Sequence, residues 1–269
     1  MNAHRLGSAP NRRPAATSAT RRLTVLAAPD LPNVAQPAAL IGDPARAAML
    51  MSLMDGSALS AGELALAGNV SPQSASGHLK RLVEGNLLVV QQAGRSRRYA
   101  LAGKAVAAAL EALAVLRADA LPPHVRGGAR MRALASARHC YDHLAGRLGV
   151  ALTELLVEKR YVETEAGVPV ALTAAGARWL TRHFRVDLDE LARAPRPLLR
   201  TCVDWTERRP HVAGALGAAM LSHCRTARWL EAGAYPRALV LTPAGQQALR
   251  ALGVSLEGND GTASVRQSA

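Results

Sequence analysis

The sequence predicts a mainly α fold with small β-hairpins, an α+β chain, and three observations carry that prediction. Of 269 residues, 49% are hydrophobic but only 3% aromatic, so the core must be built from Ala, Leu and Val, and Ala and Leu lose least on entering a helix. Short apolar-periodic stretches begin again and again at Ser, Thr or Asp, as capped helices do. Between them lie pairs of short apolar runs joined by Gly-containing connections, which read as hairpins. The longest apolar runs, such as residues 105–109, fall far short of the ~20 residues that span a bilayer, and no membrane partner is expected.

The expected organisation is a disordered basic arm (1–33), a first domain (34–121), a hinge (122–129), a second lobe (130–254) and a disordered tail (255–269). The arm holds five Arg and a single acid, Asp30, and has no apolar stretch of the secretory type. Pro122, Pro123, Gly127 and Gly128 mark the hinge. The net charge is +13, and six cations fall between residues 80 and 104 against Glu84 alone. Such clustering suits a polyanion, because each phosphate contact releases condensed counterions. Three cysteines, Cys140, Cys202 and Cys224, are too few and too odd in number for a disulfide framework, so a reducing cytoplasm is the expected compartment.

In the first domain, Asp43 and Pro44 open a helix that buries Ala47, Leu50, Met51 and Met54. Ser60 and Glu63 form the capping-box pattern before a second, short helix. Ser71 and Pro72 open a third, whose Ala75, Leu79 and Leu82 should face the first two. Its Gln73, Ser74, Ser76, Gly77, His78, Lys80 and Arg81 are then available to bases and phosphates. Leu87 to Gln91 and Arg98 to Leu101 read as strands, with Arg95, Arg97 and Arg98 at the tip between them. Three helices with a tight turn before the last, followed by an Arg-bearing hairpin, make a winged helix-turn-helix. The candidate DNA contacts are Ser71, Gln73, Ser74, Ser76, Gly77, His78, Lys80, Arg81, Arg95, Arg97 and Arg98. The alternative for this segment is a helical domain with a solvated hairpin.

Residues 41–101 resemble the winged helix of ArsR/SmtB-type regulators, through the stretch from Gly42 to Arg46, that from Ser71 to Leu82 and that from Gly94 to Tyr99. The resemblance implies a homodimeric repressor released from its operator by an effector, with the dimer built by the first helix and the helix after the wing, here residues 103–120. The metal-sensing members place thiolates on the helix before the recognition helix, yet Glu63 to Ala67 contains no Cys; their other site uses carboxylates and His on the helix after the wing, where Val106 to Leu116 offers only Glu111. Neither familiar metal site is present.

The lobe contains an internal repeat. His143 to Gly149 matches His211 to Gly217, Leu172 to Gly176 matches Leu241 to Gly245, and Cys140-Tyr141-Asp142 echoes Cys202-Val203-Asp204. Each copy is expected to run helix, strand, strand, helix, with Thr173 and Thr242 as N-caps. The hairpin tips around Glu163 to Gly167 and Glu231 to Gly233 are acidic and should repel DNA. His139, Cys140 and His143 fall at helical spacing, so a helix would put His139 and His143 on one face, and Cys140 with His143. With Cys202 and His211 they are the candidate effector residues: Cys140, His143, Cys202, His211. Imidazole and thiolate suit a transition-metal ion, a thiol-reactive compound or a small molecule at the repeat interface are the other options, and a purely structural lobe is the bland one. No cofactor is otherwise expected. The sequence thus predicts a sequence-specific DNA-binding regulator that acts as a homodimer, against two alternatives: a non-specific DNA-coating protein, and an enzyme with a His/Cys/Asp site. No phosphate loop, nucleophile elbow or His-Glu-x-x-His helix supports the last.

Overall fold

The computed structural model describes residues 33–94, 96–116, 128–255 and 264–265. Residues 1–32 of the basic arm, Arg95 and most of the expected hinge, residues 122–127, lie outside the described residues. The described residues from Val34 onward form one compact unit with two apolar cores, one per expected domain.

The first part opens with α1 (Ala35–Ile41), a short helix that the sequence does not signal, then α2 (Pro44–Ser52), α3 (Ala61–Gly68) and α4 (Pro72–Glu84). The caps explain the boundaries. Asp43 accepts from the Arg46 N–H at 2.9 Å, Ser60 and Glu63 close a reciprocal capping box, and Ser71 accepts from the Ser74 N–H at 3.2 Å. Each side chain satisfies an N–H that the helix itself leaves open. Asn69, in the left-handed conformation at φ 51°, ends α3 and turns the chain into α4.

A three-stranded antiparallel sheet follows, in the order β1 (Leu59–Ser60), β3 (Ser96–Leu101), β2 (Leu88–Ala93). The register pairs Leu88 with Leu101 and Gln92 with Arg97, so the strands reach further than the sequence predicts. Arg97 and Arg98 therefore stand within β3 instead of at the tip. The core joins Met49, Leu50, Leu64, Leu79, Leu82 and Leu101 to Leu110 of α5 (Lys104–Leu116).

The lobe begins with α6 (Ala129–Ser136) and then repeats one plan twice. The first copy runs β4 (Arg138–Cys140), β5 (His143–Ala145), α7 (Arg147–Glu158), β6 (Val162–Glu165), β7 (Val168–Leu172), α8 (Ala174–Phe184). After α9 (Leu188–Arg193) comes the second: β8 (Arg200–Val203), β9 (Pro210–Ala213), α10 (Gly214–Thr226), β10 (Leu230–Ala232), β11 (Leu239–Leu241), α11 (Pro243–Ala251). The helix–strand–strand–helix repeat is present, but a further hairpin leads each copy. This corrects the sequence reading, which puts His139, Cys140 and His143 on a helix. They lie on β4 and β5, joined by a turn with Tyr141 at φ 59°. At the expected tail, β12 (Val254–Ser255) pairs with β13 (Ser264–Val265).

The copies interlock. Helix α7 packs on β9 of the other copy and α10 on β5, and Thr153 of α7 accepts from the Val212 N–H at 2.9 Å. Small residues let each helix close on its own leading hairpin, since a Cβ on Gly149 would lie 2.5 Å from the Leu144 oxygen and one on Gly217 2.6 Å from that of Val212; across the copies, a Cβ on Gly217 would lie 3.1 Å from that of His143. Gly146 and Gly214 occupy equivalent turns at φ 78° and 81°, a backbone region that other residues enter only with strain.

Candidate DNA interface and a buried Cys-His centre

At 100° per residue, Ala75, Leu79 and Leu82 of α4 form one stripe, and all three are buried. The opposite face carries Gln73, Ser76, Gly77 and Lys80, flanked by Ser74 and Arg81, all exposed. Ser71 and Ser76 are partly engaged by the helix itself, Ser71 donating to the Ser74 hydroxyl at 3.0 Å and Ser76 to the Pro72 carbonyl at 3.0 Å. Lys80 reaches Glu84 at 3.8 Å. His78 departs from the sequence expectation. It lies about 60° from Ala75 around the axis, on the edge of the buried stripe, and its Nδ1 is 3.7 Å from Asp43. Arg98 is also occupied, donating to the Ala58 carbonyl at 2.8 Å with Glu63 beyond at 4.0 Å. Arg97 is exposed on the wing.

The winged helix meets the lobe through polar contacts around α5. The Tyr141 N–H donates to the Met54 carbonyl at 2.6 Å, Lys104 lies 3.3 Å from Asp142, and Glu111 pairs with Arg237 at 2.5 Å inside the protein. Glu111, the one acid offered by the helix after the wing, is thus held by a partner 126 residues away. Between α5 and the lobe is a cavity of about 410 Å³, floored by Cys140, His143 and Cys202 and edged by Lys104, Asp142 and Arg196.

The four candidate effector residues converge there. Each leading hairpin sets a Cys directly opposite a His: Cys140 against His143, and Cys202 against His211. Directly opposed residues point to the same face of an antiparallel pair, so each hairpin delivers one thiol and one imidazole, and the interlocked copies bring the two pairs together. The imidazoles stack with centroids 5.0 Å apart and their Nε2 atoms at 3.1 Å, while the sulfurs are 3.9 Å apart. Cys140, His143 and His211 are buried, and Cys202 is half-buried towards the cavity.

Two carboxylates that the sequence places beside the cluster, without assigning them a role, complete it. Asp142 faces Nδ1 of His143 at 3.3 Å and accepts from Arg196 at 2.8 Å. Asp204, wholly buried, lies 4.0 Å from Nδ1 of His211, pairs with Arg138 at 2.9 Å and accepts from the Gly146 N–H at 2.6 Å. Burial opposes ionisation of both, but the surrounding charges and hydrogen bonds prevail, Arg196 and His143 at Asp142 and Arg138 at Asp204, and hold each below the ordinary carboxyl range. The two thiols divide their shared environment: the hydrogen bond with Cys140 favours a thiolate on Cys202, while Cys140 is pushed up. The repeated Cys-x-Asp was the signal for the carboxylates. The cavity cations Arg196 and Lys104 had none.

The MarR family model matches residues 43–98, the span from the Asp43 cap to the wing. Over 215 residues, 80% of this chain and 94% of the relative, the sequence is 36% identical to YdfF of Bacillus subtilis, an uncharacterised HTH-type transcriptional regulator. The chain belongs to the HTH-type transcriptional regulators. It is a DNA-binding regulator of the winged-helix kind. Among solved structures, this regulator is similar to the winged helix-turn-helix domain Mb0332 of Mycobacterium bovis, a possible ArsR-family regulator (24% identity, 31% of this chain and 77% of that one, TM-score 0.29). It is also similar to NolR of Sinorhizobium fredii (26%, 30% and 81%, TM-score 0.29) and to the cadmium sensor CMTR of Mycobacterium tuberculosis (29%, 35% and 94%, TM-score 0.28). These likenesses cover about a third of the regulator. Among the described residues no helix is long and apolar enough to cross a membrane.

Proposed function

We propose that the regulator is a homodimeric repressor of the ArsR/SmtB type, which reads a specific operator through α4 and the wing and is released by an effector taken up in the lobe. The observation that carries this reading is the open face of α4. Amide, hydroxyl and bare backbone lie together there, with cations towards the end of the helix, a set that suits base edges first and phosphates next. The dimer is supported by α5, which buries Ala107, Leu110 and Glu111 within the chain yet leaves Leu113 and Leu116 exposed. An effector in the lobe is supported by the cavity, because it lies against α5, the helix that the ArsR/SmtB resemblance assigns to the dimer.

The test is selection of bound duplexes from a random library with the full chain, followed by footprinting. The expected site is a short palindrome with half-sites about 10–10.5 base pairs apart, or a multiple of that. Equal affinity for every duplex would instead mark a coating protein, and a monomer by light scattering, with and without DNA, would remove the dimer.

A further inference from the structure

We propose that Cys140, His143, Cys202 and His211 form a tetrahedral site for a zinc-class ion, and that occupancy of this site is what the lobe senses. The four ligand atoms lie within 4.8 Å of one another. Zinc bonds of about 2.3 Å to sulfur and about 2.0–2.1 Å to nitrogen require tetrahedral edges of about 3.8 Å between sulfurs and about 3.3–3.4 Å between nitrogens. The observed edges are 3.9 Å and 3.1 Å. These two edges match a tetrahedron to within a few tenths of an ångström, and the sulfur–nitrogen distances stay within 4.8 Å.

The outer groups point the same way. Both imidazoles turn Nε2 inward and Nδ1 towards a carboxylate, Asp142 or Asp204, and the Nδ1 of His211 is buried with no nearer partner. A ligating histidine commonly gives its other N–H to a carboxylate, which fixes the tautomer and leaves the inner nitrogen free to bind. With both Nδ1 atoms protonated, two lone pairs face each other at 3.1 Å, an arrangement that a shared cation resolves. Two sulfurs and two nitrogens in a tetrahedron select zinc and similar soft ions, whereas calcium and magnesium require oxygen ligands. A disulfide would need the sulfurs at about 2.05 Å and would leave the imidazoles still opposed. Cys202 faces the cavity, which provides a route of entry.

Sensing would follow from the neighbours of the site. Asp142, which holds His143, also pairs with Lys104 on α5, so seating an ion pulls on the helix beside the reading head. This second half rests on the regulator reading above, whereas ion binding does not.

The test uses the full chain, reduced and stripped of metal, titrated with Zn²⁺ against a chromophoric chelator and separately with Co²⁺. The expected result is one ion per chain, with the intense d–d bands of tetrahedral cobalt and thiolate charge-transfer bands. Asp142→Asn should weaken binding by roughly 10–100-fold, Cys140→Ser and Cys202→Ser by more, and Cys224→Ser not at all. A wild-type chain that takes up no ion, a cobalt spectrum without sulfur bands, or unchanged binding in the Cys140→Ser, Cys202→Ser double variant would overturn the site. Selected DNA is then bound with and without Zn²⁺. A change in affinity that disappears in Cys202→Ser supports sensing, and equal affinities in the loaded and stripped protein would overturn it while the ion site stands. Loss of the ion site with specific DNA binding intact leaves the regulator reading untouched.

Discussion

The winged helix and the lobe place their polar chemistry on opposite sides of the surface. On α4, Gln73, Lys80 and Arg81 face solvent over a stripe of Ala75, Leu79 and Leu82. In the lobe, Arg138, Asp204 and His211 are wholly buried, and the thiols and imidazoles meet where two halves of the fold cross. The contrast separates two ways of carrying a function. A surface reader can change its contacts while its core stays as it is. A buried centre cannot, because each of its charges is balanced by another and losing one partner leaves a desolvated charge behind.

The strongest test of that contrast is Asp204→Ala. It strands Arg138 and the Gly146 N–H inside the lobe, and the expected loss is about 3–5 kcal/mol in urea denaturation of the full chain. A loss below about 1 kcal/mol would show that the lobe does not depend on this pair. The converse test is Arg81→Ala with Arg97→Ala. Stability should stay within about 0.5 kcal/mol, while the log–log salt slope of DNA binding falls by about 1 for each phosphate contact removed. If stability fell as far as with Asp204→Ala, the contrast would fail. His78→Ala belongs with the core-edge residues and should leave the preferred DNA sequence unchanged.

The smallest effect concerns Glu207. Burial first, then the charge of Asp204, raises its carboxyl from 4.5 to about 7. Its contribution is therefore fully present below 4.5 and is lost as pH rises through about 7. Between about pH 5 and about pH 8, wild type should lose on the order of 1–2 kcal/mol relative to Glu207→Gln, allowing for solvent screening. Parallel pH profiles would show Glu207 to be ordinarily solvated.

The helix caps were legible because each is a local exchange of hydrogen bonds: Asp43, Ser60, Ser71, Thr173 and Thr242 all start helices as their chemistry requires. The repeat was legible too, and it singled out the same four Cys and His residues that converge. The leading hairpin was not. Cys140 and His143 are neighbours both at i, i+3 on a helix and across a two-residue turn, and strands of three residues are too short for periodicity to decide. Tyr141 enters the turn at positive φ with none of the usual Gly or Asn to announce it. His78 could have been placed, since its angular position puts it beside Ala75 and Leu82. The pairing of Glu111 with Arg237 spans 126 residues and no local pattern encodes it.

Carrying both halves of the Cys-His centre on one polypeptide frees it from a constraint that binds every homodimeric site. In a true twofold dimer, any substitution appears on both sides at once. Here the two carboxylates behind the histidines have gone separate ways: Asp204 is locked inward by Arg138, Gly146 and Thr206, while Asp142 reaches outward to Arg196 and Lys104. The repeat has given a nearly symmetric centre a closed back and a front that opens on the cavity, so one half can hold the fold while the other is free to change.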